Sequence, residues 1–152
     1  VNFSIPYMTG GQVIIYNNTK YSSPPTLKEL KEDKNLKISV QLGSTGNEAA
    51  RRTFPGKELL NFDTIDEAAL QVATGKADIM IFDSLYANYI ANKYEQISAS
   101  EEFITEENFG VAIKKGDFDT VRWIDTFITS LKTSGDFDKL KQKWLVDYEG
   151  NN

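Results

Sequence analysis

The chain has 152 residues, 40% hydrophobic and 26% charged, with a net charge of −5 and neither His nor Cys. That is enough for one domain or two small ones around an ordinary soluble core. It excludes disulfides, thiolate metal sites and histidine acid–base chemistry, and without a basic patch nucleic acid is not an expected partner. No apolar run approaches membrane-spanning length and the first residues do not read as a signal peptide. A start at Val1 instead of Met is expected of a processed product or a trimmed piece of a longer chain.

In chain order, Val1–Gly11 alternates Phe3, Ile5 and Tyr7 with polar residues until Pro6 interrupts, and Gly10-Gly11 reads as a turn or hinge. Gln12–Tyr16 is a short β-branched strand and 17–25 a polar loop. Thr26 with Glu29 forms a capping box for a helix that turns Leu27 and Leu30 inward. Leu36, Ile38, Val40 and Leu42 alternate as a strand does. The strand runs into Gly43-Ser44-Thr45-Gly46, and a helix from about Asn47 presents Arg51 and Arg52 to solvent before Pro55-Gly56. Leu59–Phe62 is a strand. Thr64 and Glu67 box the next helix, which has a small-residue face of Ala68, Ala69, Val72 and Ala73 and stops at Gly75.

Ile79–Phe82 is wholly apolar, as a strand covered on both faces should be, and Asp83 follows at once. A helix from Ser84 to Lys93 and a strand over Ile97–Phe103 come next, then a Glu-rich stretch to Asn108. Phe109–Ile113 reads as one strand. Phe118–Lys132 is the longest helix, with Val121, Ile124, Ile128 and Leu131 on one face, and Phe137, Leu140 and Trp144 line the last one. Trp144 and the Phe residues of these helices read as core. Strands alternating with helices predict a mostly parallel α/β sheet.

Ligands of open parallel sheets bind beyond the carboxyl ends of the strands. At one such end, Ser44 and Thr45 offer hydroxyls and the N–H groups of a helix start, which attract small anions. At another, Asp83 offers a carboxylate. A zwitterion needs that pairing. The plainer readings stay open: Ser44 or Thr45 as a helix cap, and Asp83 as the residue before a Ser84-capped helix. Asp78 reads as structural, Arg51 and Arg52 as a solvated helix face, and Glu101, Glu102, Glu106 and Glu107 as a solvated acidic loop without metal-ligand spacing. No catalytic residue, metal or cofactor is expected.

Four motifs together resemble the amino-acid-binding proteins of bacterial ABC importers, extracellular solute-binding family 3 of the type II periplasmic-binding fold. They are Phe3-Ser4-Ile5-Pro6-Tyr7, Gly43-Ser44-Thr45-Gly46, Gly75-Lys76-Ala77-Asp78 followed by Asp83, and Phe109–Gly116 followed by Lys143-Trp144. The resemblance is to the C-terminal part of such proteins. It implies a complete lobe 2 with a mostly parallel sheet over 12–108, and an incomplete lobe 1 from 1–11 and 109–152, joined by hinge segments. By family position it implies that Asp83, Thr45 and Ser44 hold the ligand's charged groups and that Gln41 and Phe82 face its side chain, though by their own residues Gln41 and Phe82 read equally well as core or sheet-edge filler. The family's N-terminal part, with a stacking aromatic and a carboxylate-clamping arginine, has no counterpart here.

The implied function is extracytoplasmic capture of an amino acid, weakly favoured as polar through Gln41, for delivery to a membrane permease, at a periplasmic or cell-surface-anchored location. The alternatives are a receptor's sensing module and, less favoured with one acid and no His or Cys, a dehydratase-like enzyme. The polar tail at 147–152 does not read as a coiled coil or membrane helix, as a sensor would require. The helices of the incomplete lobe would lack their sheet, and a homodimer through them is the simplest closed solution.

Overall fold

The computed structural model describes residues 1–146; the tail at 147–152 lies outside the described residues. In chain order the elements are β1 (Asn2–Phe3), β2 (Met8–Gly10), β3 (Gln12–Asn17), α1 (Leu27–Glu32), β4 (Lys37–Gln41), α2 (Thr45–Thr53), β5 (Glu58–Phe62) and α3 (Ile65–Ala73). They continue with β6 (Ile79–Asp83), α4 (Ser84–Lys93), β7 (Ile97–Phe103), β8 (Glu107–Phe109), β9 (Ala112–Ile113), α5 (Phe118–Ser134), α6 (Asp136–Lys141) and a π-helical turn (Gln142–Val146). The chain divides into two compact units: Gly11–Glu106, and Val1–Gly10 together with the chain from Glu107 onward.

The larger unit is a five-stranded sheet in the order β5-β4-β6-β3-β7. β4 runs parallel to β5 and to β6, while β3 runs antiparallel to both β6 and β7. Four of these five strands therefore point the same way, and β3 opposes them. The fold is the expected α/β architecture with a mostly parallel sheet.

Strand alternation sends each apolar set to its own layer. Ile14, Tyr16, Ile38, Val40, Ile79 and Ile81 pack with Leu30, Ala50 and Phe54 on the side of α1 and α2. Val13, Ile15 and Met80 pack with Ala68, Ala69, Val72, Ala87 and Ile90 on the side of α3 and α4. Ser39 is the polar exception among the buried residues of β4. It is fully buried, and its hydroxyl donates to the Ala68 carbonyl at 2.6 Å, which offsets most of the cost of taking it out of water. Both capping boxes form as the spacing predicts: Glu29 N–H donates to Thr26 Oγ1 at 3.2 Å, and Glu67 N–H to Thr64 Oγ1 at 3.2 Å. Asp78 pins the start of β4, accepting the Lys37 N–H at 2.8 Å and the Lys20 ammonium. Burial would lower the Lys20 pKa, but the hydrogen bond and charge of Asp78 together hold it above its ordinary value.

In the smaller unit β1 pairs antiparallel with β9 and β2 with β8. The Phe3–Tyr7 segment is tied down in three ways. Val111 N–H donates to Ser4 Oγ at 2.9 Å, Ile5 N–H to Asp125 Oδ1 at 2.8 Å, and Lys132 Nζ to the Pro6 carbonyl at 2.8 Å.

The structure corrects several expectations. The strand read over Phe109–Ile113 is two strands, β8 and β9, because the chain changes partner at Gly110-Val111, where Ser4 and Val111 bond each other. Glu101 and Glu102 lie in β7 and Glu107 in β8, so only part of the acidic stretch is loop. Leu42 falls one residue beyond β4 and is exposed. Trp144 and Phe127 are not core: they are 53% and 50% exposed, and Phe118 and Trp123 are each 68% exposed. Ile128, on the face turned toward the Ile5–Pro6 side of α5, is the α5 residue that is buried. Spacing identified an apolar helix face, but spacing is silent on whether anything covers it.

Candidate functional site

Three strand ends of the larger unit converge on the expected residues. β4 ends at Gln41, and Gly43, at φ +73°, makes the tight left-handed step that starts α2, a conformation that costs an L side chain about 1–2 kcal/mol. Ser44 is the N-cap. Its Oγ accepts the Asn47 N–H at 3.1 Å and donates to the Gln41 carbonyl at 2.8 Å. The Ser44 hydroxyl is thus spent inside the turn. Glu48 N–H bonds the Ser44 carbonyl. Among the described residues the N–H groups of Thr45 and Gly46 meet no protein acceptor, the ordinary condition of a helix start and one that suits an anion.

Gly46 sets the height of this helix end. A Cβ there would lie 2.5 Å from the Ile81 carbonyl oxygen and 3.1 Å from Gln12 Oε1. Only glycine lets α2 sit this close to β6, and that approach brings Thr45 down to the strand that carries Asp83. Asp83 closes β6 and is itself the N-cap of α4, its Oδ1 accepting the Leu85 N–H at 2.9 Å. The plainer sequence reading had Ser84 as the cap. Instead Ser84 is the first helical residue and bonds Gly11, just ahead of β3: its N–H donates to the Gly11 carbonyl at 2.9 Å, and its Oγ accepts the Gly11 N–H at 3.3 Å.

Gln12 joins the two halves. It opens β3 directly opposite Asp83 in the ladder, and its Nε2 donates to Thr45 Oγ1 at 3.1 Å. Sequence reading missed it. The available signal was a single amide heading an otherwise β-branched and aromatic strand, QVIIY, yet that amide is fully buried. Of the remaining expected residues, Gln41 is half-buried and its Nε2 donates to the Asp63 carbonyl at 3.2 Å. Phe82 is half-buried, packs on the α3–α4 layer, and meets Tyr86 edge-on at 6.2 Å between ring centres. The structure therefore brings Thr45 and Asp83 together through Gln12, with Phe82 adjacent in β6 and Gln41 at the neighbouring strand end.

Known proteins decide the family. The family model of the bacterial extracellular solute-binding proteins, family 3, matches residues 1–147. The chain belongs to that family. The glutamine-binding protein GlnH of an ABC transporter of Bacillus subtilis is 25% identical over 148 residues, covering 97% of this chain and 52% of GlnH. The solved structure of an ancestral cationic amino acid solute-binding protein superposes with a TM-score of 0.83, and that of an ancestral amino-acid-binding protein described as a precursor of cyclohexadienyl dehydratase with 0.76, each at 34% identity and covering 95% of this chain and 62% of the other. An ABC-transporter binding component of Wolinella succinogenes solved with lysine gives 0.83 at 32%, covering 98% and 64%.

The fold is thus that of type II periplasmic-binding proteins, and the close relatives are binding proteins. The chain spans about half the length of the curated relatives it matches. No helix among the described residues is long and apolar enough to cross a membrane.

Proposed function

We propose that this chain supplies the larger part of an extracytoplasmic solute-binding component of an ABC importer, with residues 11–106 as the ligand-binding lobe and the rest contributing to a second lobe. The reading rests on one observation: within a family of solute-binding proteins, an orphan helix start and the Thr45 hydroxyl stand beside the strand pair that carries Asp83. The helix start and Thr45 take an amino acid's α-carboxylate, and Asp83 takes its α-ammonium. Ser44 holds the turn in shape, and Gln41 and Phe82 face the ligand side chain. The relatives' glutamine and lysine, with the amide of Gln41 at the strand end, favour a polar amino acid.

An enzyme is disfavoured, because the site offers one carboxylate and the chain has no His or Cys to serve as its partner. The inferred partners are the amino acid, the importer's membrane permease and, through the exposed aromatic residues of α5 and the π-helical turn, a second copy of the chain. Light scattering tests the last: a monomer at micromolar concentration removes it. The binding reading itself is tested by melting the chain across a panel of L-amino acids. A ligand of the folded state adds about 2.7 kcal/mol at a hundred times its Kd. Melting unchanged by every L-amino acid in large excess would overturn it.

A further inference from the structure

We propose that Gln12 is a positioning residue that fixes the polarity of the Thr45 hydroxyl, so that Thr45 presents a proton, not a lone pair, to the bound carboxylate. The inference rests on the carboxylate reading of Thr45 and adds a residue to which that reading assigns no role.

Gln12 is fully buried, and a buried amide is costly unless it is hydrogen-bonded. Its backbone is clamped. The N–H donates to Thr105 Oγ1 at 2.8 Å, the carbonyl accepts the Ile104 N–H at 2.8 Å, and the residue sits in register against Asp83. A side chain leaving so constrained a backbone has few rotamers, and this one delivers Nε2 to Thr45 Oγ1 at 3.1 Å. A hydroxyl carries one donor and two acceptor lone pairs. Nε2 is a donor, so it occupies a lone pair of Thr45 and leaves the hydroxyl proton to point elsewhere.

The competing use of that proton is a bond back to the carbonyl four residues earlier, as helical Thr often makes. That carbonyl belongs to Gln41, and the Ser44 hydroxyl and N–H already donate to it. Two neighbours therefore act in the same direction. Gln12 fills the acceptor side of Thr45, and Ser44 takes the local acceptor that would draw its proton inward. A Cβ at Gly46 would meet the Ile81 carbonyl and the oxygen of Gln12, so the turn that carries Thr45 already sits close against β6.

The proposal predicts that Gln12 acts on binding through Thr45. The test is an amide NMR titration of the full chain with L-glutamine, in wild type, Thr45→Val, Gln12→Met and the double variant, with Gln12→Glu as a second variant at the same volume. Thr45→Val and Gln12→Met should each weaken binding roughly tenfold or more, the loss of a hydrogen bond to a charged group. Gln12→Met should weaken binding less in the Thr45→Val background than in the wild type. Gln12→Glu can only accept from Thr45 once ionised, which reverses the hydroxyl, so its binding should weaken as pH rises and at high pH fall at least as far as that of Gln12→Met. It decides the matter if the Met variant does not fold.

Wild-type affinity in a folded Gln12→Met, or in Gln12→Glu at high pH, beside a weakened Thr45→Val, overturns the proposal alone, as does a double variant that loses both effects in full. An unaffected Thr45→Val, or a wild type whose Gly43–Asn47 amides respond to none of the L-amino acids, overturns the carboxylate reading and this inference with it.

Discussion

Replacing Gly46 by Ala reverses the usual sign of a glycine-to-alanine change in a helix. In an open helix interior the exchange stabilises by about 1 kcal/mol. Here the new methyl carbon would lie 2.5 Å from the Ile81 carbonyl oxygen and 3.1 Å from Gln12 Oε1. The first is backbone in a central strand and cannot rotate away; the second belongs to a buried side chain whose backbone is held on both sides. Relief must come from lifting the start of α2. Overpacking of this kind costs about 1–3 kcal/mol, so after the helical gain the net change should be a loss of up to about 2 kcal/mol.

Urea unfolding followed by far-UV circular dichroism reads it. Tryptophan fluorescence does not, since both tryptophans, Trp123 and Trp144, lie outside residues 11–106. The same shift should lift Thr45 away from Gln12 and weaken amino-acid binding. A Gly46→Ala protein as stable as wild type or more so would refute the close approach of α2 to β6.

Three further outcomes follow from single contacts. Asp83→Asn keeps a good N-cap oxygen and removes the charge, so the chain should stay folded while amino-acid binding is lost; retained binding would leave Asp83 as a cap only. Ser39→Val should destabilise by about 1–3 kcal/mol, because its buried hydroxyl bond to the Ala68 carbonyl goes and a larger side chain enters; an unchanged urea midpoint would contradict that packing.

The backbone N–H and hydroxyl of Thr26 hold the Glu29 carboxyl below its ordinary value of 4.5. A folded pKa below the unfolded one gives stability that is present above pH 4.5 and lost as pH falls through the folded value. The Glu29→Gln variant should therefore show a shallower acid-side loss of stability than wild type; identical pH profiles would dispose of the effect.

What could be read from sequence was local. Thr26 with Glu29 and Thr64 with Glu67 announce their helices because the bonds span three residues. β3 and β6 announce themselves as strands covered on both faces by unbroken apolar runs, and strand geometry sends their successive side chains to opposite layers. The direction of β3 could not be read, because period two is the same in a parallel and an antiparallel strand. Nor could the choice between Asp83 and Ser84 as cap, since both side chains cap well and the decision lies in the contact of Ser84 with Gly11. The break between β8 and β9 depends on Ser4, more than a hundred residues away in sequence. Gln12 escaped for a related reason: its partners, Thr45 and the 104–105 segment, meet it only after the sheet forms.

An amino acid held at both charged ends by Asp83 and the Gly43–Gly46 turn is tested most directly by titrating the chain with L-glutamine, N-acetyl-L-glutamine and L-glutamine amide while following the backbone amides. L-glutamine should shift the amides of Gly43–Asn47 and of Asp83–Leu85 together. The acetylated compound, without its ammonium, and the amide, without its carboxylate, should each fail to do so at the same concentration. Equal shifts from all three compounds, or shifts confined to residues outside these two segments, would contradict the site.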